Sequence, residues 1–259
     1  MMHETDAIDE KSGPHIFIVN LARRPDKRTD ALRRAAAAGI DVEIIEAVDG
    51  IALSNAEVAA VADDWPASRM SKGVVACALS HLQVYKRIID DDIALALVLE
   101  DDALPQADLA AVMANSGATF DGDTPKVLLL SSHYYHAEKL RTLPGGRSLH
   151  RFADGSQGHA YMLNKQAAQA LYASLQPVSW EADKWWYFQA LGYVEVECIV
   201  PHTVGVDGGA DNSDLQAERV GLTRERRAYL WKRGALVPFR IRLKKLVWKL
   251  FRRPFSRKS

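Results

Sequence analysis

At 259 residues the chain can hold one large domain or two small ones around a substantial core. Its composition, 48% hydrophobic and 25% charged with only two cysteines, excludes collagenous, low-complexity and disulfide-scaffold classes. The formal net charge of zero hides an asymmetry: residues 224–259 carry fourteen Lys and Arg against one acid, Glu225, a net of +13 that leaves −13 on residues 1–223.

An acidic body with a basic tail points to a polyanionic partner surface, membrane or nucleic acid. The first thirteen residues, MMHETDAIDEKSG, are polar and are expected to form a disordered N-terminus without a secretory signal. No stretch approaches the roughly 18 apolar residues of a spanning helix. Cys77 and Cys198 suit buried small hydrophobes in a reduced, cytosolic setting.

Strand-like and helix-like runs then alternate. HIFIVNL (15–21) reads as a buried strand, and Pro25 opens a helix that Gly39 stops. VEIIEAV (42–48) is a second strand closed by Asp49-Gly50, and SNAE (54–57) is a capping box for a short helix. Val74, Ala78, His81, Tyr85 and Ile88 share one face of a helix over 74–89. ALALVLE (94–100), KVLLLSS (126–132) and HAYML (159–163) are further strands, the last leading into a helix over 165–175. YVEVECIV (193–200) is a late strand. This rhythm predicts an α/β fold with a largely parallel sheet and helices on both faces.

In such sheets ligands gather at the carboxyl ends of the strands. The third strand ends in Glu100, Asp101 and Asp102, three charges that each oppose the ionisation of the others. Side chains at i and i+2 of an extended segment point the same way, so Glu100 and Asp102 can face one pocket while Asp101 turns aside. Carboxylate oxygens so placed suit a hard divalent ion, Mg²⁺ or Mn²⁺, with positions left open for phosphate. Arg23, Arg24, Lys27 and Arg28 follow the first strand and can meet the same anion. The plain alternative is a solvated acidic loop and a solvated helix start.

The pieces IFIVNLARRPDKR, IEAVDG, SKGVVACALSHLQVYKRII, ALALVLEDDA and, more loosely, GHAYMLNKQAAQAL lie in order over about residues 15 to 175. This ordered set, with LSH about twenty residues before LEDD, resembles the glycosyltransferase family 25 pattern. The resemblance implies a GT-A-like nucleotide-sugar-binding sheet and a divalent metal, Mn²⁺ or Mg²⁺, at Glu100, Asp101 and Asp102. It also implies inverting transfer of a hexose, galactose from UDP-galactose by family weight, to a hydroxyl of an envelope glycan such as lipopolysaccharide core. It assigns Asn20, Arg23, Arg28, Asp49, Lys72, Ser80 and His81 to substrate binding. Beyond residue 180 the match thins to Asp183, Pro201 and the DNSD segment.

Each of these residues also has a plainer reading. Asn20 and Asp49 can make turns, Ser80 can bond back into its helix, and His81 can be a buried structural histidine. The segment SWEADKWWYFQALG (179–192) sets Glu181 and Asp183 against aromatics that suit sugar faces or, equally, a helix core; Asp183 is the preferred general base. His202, after a late strand, can complete the metal shell, as histidines do in some GT-A enzymes.

Within the tail, Phe239, Leu243, Leu246, Val247 and Leu250 recur at helical spacing opposite Arg242, Lys245 and Lys249, with Pro238 placed to open the helix. An amphipathic helix of this kind lies in a bilayer interface. The expected organisation is therefore a transferase unit over 14–223 and a membrane-associating tail over 224–259, with residues 236–258 on an anionic membrane at the inner face of the cytoplasmic membrane. Packing of the stripe on the body is the alternative; nucleic acid is disfavoured, since it would leave the stripe without a partner. A metal-dependent phosphohydrolase and a non-catalytic scaffold are the rival functional classes.

Overall fold

A computed structural model describes residues 13–131, 134–207, 224–226, 228–229, 239–252 and 257–258. Residues 1–12, the DNSD segment and Pro238 lie outside the described residues. Strand β1 (His15–Asn20) leads into helix α1 (Pro25–Ala37), which has Pro at its first position and is followed by Gly39 at φ +67°. Strand β2 (Glu43–Glu46) precedes α2 (Asn55–Val61), where Ser54 and Glu57 form the complete capping box. Helix α3 (Lys72–Asp90), capped by Ser71, runs into β3 (Leu95–Glu100). Beyond the acids come β4 (Ala103–Pro105), α4 (Leu109–Ser116), β5 (Lys126–Leu129) and a long hairpin, β6 (Tyr134–Thr142) with β7 (Ser148–Gly155). Strand β8 (Ala160–Asn164), helices α5 (Lys165–Ser174) and α6 (Trp185–Leu191), and strands β9 (Glu195–Val200) and β10 (Val204–Val206) follow.

Nine strands form one sheet in the order β11-β6-β7-β9-β5-β8-β3-β1-β2, β11 being the two-residue Arg257–Lys258. The expected parallel arrangement holds for β2-β1-β3 and for β5-β9; the other five ladders are antiparallel, so the sheet is mixed. The reversal arises because β8 returns between β3 and β5. A strand buried on both faces shows the same apolar run whichever way it is paired.

Alternation within the strands builds two cores. On one face Phe17, Val19, Val98, Leu129 and Tyr161 meet Val84, Tyr85 and Ile88 of α3, Leu171 of α5, and Trp185 and Phe188 of α6. On the other, Ile16, Ile18, Leu97, Leu99 and Met162 meet Ala31 and Ala35 of α1 and Leu109 and Val112 of α4. Each fully buried large aliphatic side chain contributes about 1.5–3 kcal/mol by leaving water, so both helical layers are held by the sheet between them.

Near the C-terminus, α7 (Phe239–Val247) continues into a wide π-type turn, Trp248–Arg252. Ile241 is buried in the first core, and Lys245 Nζ sits 4.4 Å from the Trp186 ring centre and 3.6 Å from Asp154 Oδ1. Phe239, Leu243, Leu246, Val247, Leu250 and Phe251 are exposed. The predicted stripe therefore faces outward, and the helix meets the body along a different line. Among the described residues no helix is long and apolar enough to cross a membrane.

Candidate active site

Parallel pairing brings the carboxyl ends of β1, β2 and β3 to one edge, where the loops carrying Arg23, Asp49 and the acids line a common pocket. Because β8 runs against β3, its start joins the same edge: Glu100 N donates to His159 O at 2.9 Å.

All three acids line the pocket, and residues 101–102 form a turn beyond the end of β3, so strand alternation does not carry past Glu100. Asp101 turns toward α1: its Oδ2 accepts from Asn20 Nδ2 at 2.8 Å, and its Oδ1 lies 3.6 Å from Lys27 Nζ. Burial raises its carboxyl against the pull of Lys27 and Asn20. Glu100 faces α3, with Oε1 3.7 Å from His81 Nε2. Asp102 has a buried Oδ1 without any hydrogen-bond partner among the described residues. Burial first, then the charges of Glu100 and Asp101, push Asp102 up to about 6. An unpartnered buried carboxylate oxygen costs the fold free energy, a cost that protonation, a hydrogen-bond donor or a cation offsets.

His81, 3% exposed, accepts or donates at Nδ1 with Tyr161 Oη, 2.7 Å away, which in turn lies 3.1 Å from Tyr85 Oη. Burial opposes its imidazolium, but hydrogen bonds with Cys77 and Glu100 outweigh that and push His81 up to about 10. It therefore belongs to the floor of the pocket, paired with Glu100, and is more than a spectator of the core.

Asp49 stands on the rim. Its Oδ2 accepts from Arg23 Nε at 2.9 Å and its Oδ1 from Ile51 N at 3.0 Å, so it makes the turn and also lines the pocket. Gly50 after it packs so closely on α3 that a Cβ there would meet Gly73 Cα at 2.8 Å. Ser80 lines the pocket while its Oγ donates to Ala76 O and accepts from Val48 N; Lys72 does not line it, and its Nζ donates to Leu53 O. Arg28 is exposed on α1 and does not line the pocket; Lys27, one residue before it, and Arg24, one helical turn before it, take that place.

Asp183 and Glu181 separate. A Cβ on Gly158 would lie 3.8 Å from both Asp183 Cβ and Glu100 Oε1, so Asp183 stands across a single glycine from the acidic motif. Its Oδ2 accepts from Gln157 N at 3.0 Å, and Trp185 Nε1 donates to Gln157 O at 3.0 Å. Glu181 turns to Arg226, 3.5 Å away, while Lys184 Nζ lies near both acids, 3.7 Å from Asp183 Oδ1 and 3.9 Å from Glu181 Oε2. Trp185, Trp186 and Phe188 are buried core residues, while Tyr187 stacks on Trp180 at 4.7 Å beneath Lys245. These rings are core, not a platform for sugar.

His202 corrects another expectation. In the β4–β10 ribbon Val204 pairs with Pro105 and Val206 with Ala103, so His202 lies at the end remote from Asp102. Its carbonyl accepts from Arg147 Nη1 at 2.7 Å. Asp207 is the residue beside the acids: its N donates to Asp102 O at 2.9 Å and its Oδ2 accepts from Arg34 Nη2 at 2.6 Å. Sequence reasoning missed Asp207, Gly158, Tyr161 and the part played by Cys77. All four are joined to the site by strand register or helix packing; Cys77, Gly158 and Tyr161 lie inside the family-like stretches, but nothing local in those stretches tells that they meet.

The profile of glycosyltransferase family 25 (LPS biosynthesis protein) matches residues 13–186. Procollagen galactosyltransferase 2 of Homo sapiens is 36% identical over 102 residues, which cover 36% of this chain and 16% of that protein. A glycosyltransferase 25 family member of Anopheles gambiae is 36% identical over 102 residues, 36% of this chain and 17% of its own length. The inactive glycosyltransferase 25 family member 3 of Homo sapiens is 30% identical over 95 residues, 34% of this chain and 16% of that protein. The alignments thus span about one sixth of these relatives.

Proposed function

The chain belongs to glycosyltransferase family 25, and we propose that it transfers a hexose, galactose from UDP-galactose, to a hydroxyl of an envelope glycan such as lipopolysaccharide core, with inversion. The observation that carries this reading is the buried, unpartnered Oδ1 of Asp102, two residues from Glu100, which itself stands across Gly158 from Asp183.

The donor set is all carboxylate and suits a hard divalent cation, Mn²⁺ or Mg²⁺, held by Glu100 and Asp102. Asp101 is already committed to Asn20 and Lys27 and acts by orienting the loop. When bound, such an ion supplies charge neutralisation to a diphosphate leaving group. Arg23, Arg24 and Lys27 line the same pocket and attract the diphosphate; Asp49 holds Arg23 in place. Asp183 takes the proton of the acceptor hydroxyl as general base, and one displacement needs only one such base. Glu181, engaged by Arg226 and Lys184, holds the loop that presents Asp183.

In this reading residues 14–223 form the transferase unit and 224–259 a tail that binds an anionic membrane surface. Exposed apolar side chains along α7 and its following turn, amid fourteen Lys and Arg, support it. Each basic residue near such a surface contributes about 1 kcal/mol. A peripheral position on the inner face of the cytoplasmic membrane follows, where a lipid-linked acceptor is made.

A second reading, a non-catalytic scaffold, is favoured by one finding, the similarity to an inactive human family member. Incubating the protein with Mn²⁺ and a panel of nucleotide sugars, with and without glycan acceptor, decides. Acceptor-dependent release of nucleoside diphosphate supports transfer. Free sugar without acceptor supports a phosphohydrolase, and no turnover with any donor supports the scaffold.

A further inference from the structure

We infer that Cys77, His81 and Glu100 form a second cation site, one for a thiophilic divalent ion such as Zn²⁺, in the floor of the pocket. The Sγ, ring nitrogen and carboxylate oxygen they offer all lie within 4.8 Å of one another, and among the described residues this is the one such group. Cys77 and His81 stand one turn apart on α3, so the helix itself holds them on a common face. Glu100 reaches them from the end of β3, its Oε1 3.7 Å from His81 Nε2. Tetrahedral zinc with S, N and O ligands needs ligand separations of about 3.5 Å, so rotation of the Cys77 and Glu100 side chains by about an ångström closes the set.

The surroundings are those of a metal-binding histidine. A ligating imidazole is oriented by a partner on its other nitrogen; here Tyr161 Oη holds Nδ1 at 2.7 Å and is itself braced by Tyr85. That contact turns Nε2 toward Glu100. A thiolate and a carboxylate balance the double charge of the ion, and the pocket, which Cys77, His81 and Glu100 all line, supplies access and a fourth position for water. Sulfur and imidazole select zinc over manganese, whereas the unpartnered oxygen of Asp102 selects the reverse. The two sites share Glu100. Zinc occupancy therefore withdraws one carboxylate from the acidic motif and opposes binding of the hard ion. Zinc binding itself stands whether or not the chain is a transferase.

The full-length, reduced, chelator-stripped protein is titrated with Co²⁺. The expected result is one equivalent bound with an intense near-ultraviolet thiolate-to-cobalt band and visible bands of four-coordinate cobalt, both removed by one equivalent of Zn²⁺. Cys77→Ser, a one-atom change, loses the sulfur band. Tyr161→Phe keeps the band but weakens cobalt affinity about 10–100-fold, the usual effect of removing a histidine's outer partner. A measurement on the unaltered protein adds an independent reading: Zn²⁺ protects Cys77 from alkylation by iodoacetamide, followed by peptide mapping. No sulfur band in the wild type, a band that survives Cys77→Ser, or alkylation of Cys77 unchanged by zinc overturns the inference.

Discussion

Replacing Asp102 with Asn is expected to stabilise the metal-free protein and, on the proposed metal-dependent mechanism, to abolish transfer. Asp102 has a carboxyl raised from 3.8 to about 6, by burial and by the charges of Glu100 and Asp101. The folded state therefore binds this proton more tightly than the unfolded state. The contribution of the Asp102 proton to stability is full below about pH 4 and is lost as pH rises through about 6. At about 1.36 kcal/mol per unit the ionised side chain costs at most about 3 kcal/mol, and solvent at the pocket mouth reduces this to about 1–2 kcal/mol. An amide is neutral and escapes that cost. For a chain of this size the gain is a melting temperature higher by about 2–8 °C. Circular-dichroism melts in chelator at pH 7 and pH 4.5 measure it: the variant leads at pH 7 and the gap narrows at pH 4.5. With Mn²⁺ the wild type should recover stability through ligand linkage and the variant should not. A variant that melts at or below the wild type at pH 7 in chelator refutes the reasoning.

Three further outcomes are expected. Asp183→Asn should lower turnover about 10²–10⁴-fold, the usual worth of a general base, with donor binding by calorimetry nearly unchanged; an inactive Glu181→Gln beside an active Asp183→Asn would reverse the assignment. Gly158→Ala should fold normally, because its methyl meets Asp183 Cβ and Glu100 Oε1 at an ordinary 3.8 Å, yet should reduce turnover by occupying the space between them; full activity would show that the acceptor lies elsewhere. Leu246→Glu, on a side chain 53% exposed, should leave melting unchanged and abolish flotation with anionic vesicles at low salt, and equal flotation of variant and wild type would remove the tail from the membrane reading.

Much of the scaffold was legible from local pattern. The capping box of α2, Pro25 at the start of α1, the apolar face of α3 and the runs of β1, β3 and β8 are set by interactions within a few residues. Alternation did not tell Asp101 from Glu100 and Asp102, because it ends with β3 at Glu100 and residues 101–102 form a turn. The polar hairpin β6–β7, whose register shifts interrupt any period, and the three-residue strands β4 and β10 left no such trace.

What only the tertiary structure decided is which distant side chains meet. Nothing in the SWEADK stretch distinguishes Asp183 from Glu181. That Asp183 is the one near Glu100 follows from β8 running antiparallel to β3, which delivers Gly158 between Asp183 and Glu100. Nothing near residue 202 tells that the β4–β10 register carries His202 away and seats Asp207 beside Asp102. Asn20 meets Asp101 across 81 positions, and His81 meets Tyr161 across 80. Periodicity reports whether a side chain is buried because burial is imposed turn by turn and strand by strand. Partnership depends on register and strand order, which belong to the whole sheet, and a one-residue slip would reverse every face while leaving the local pattern unchanged.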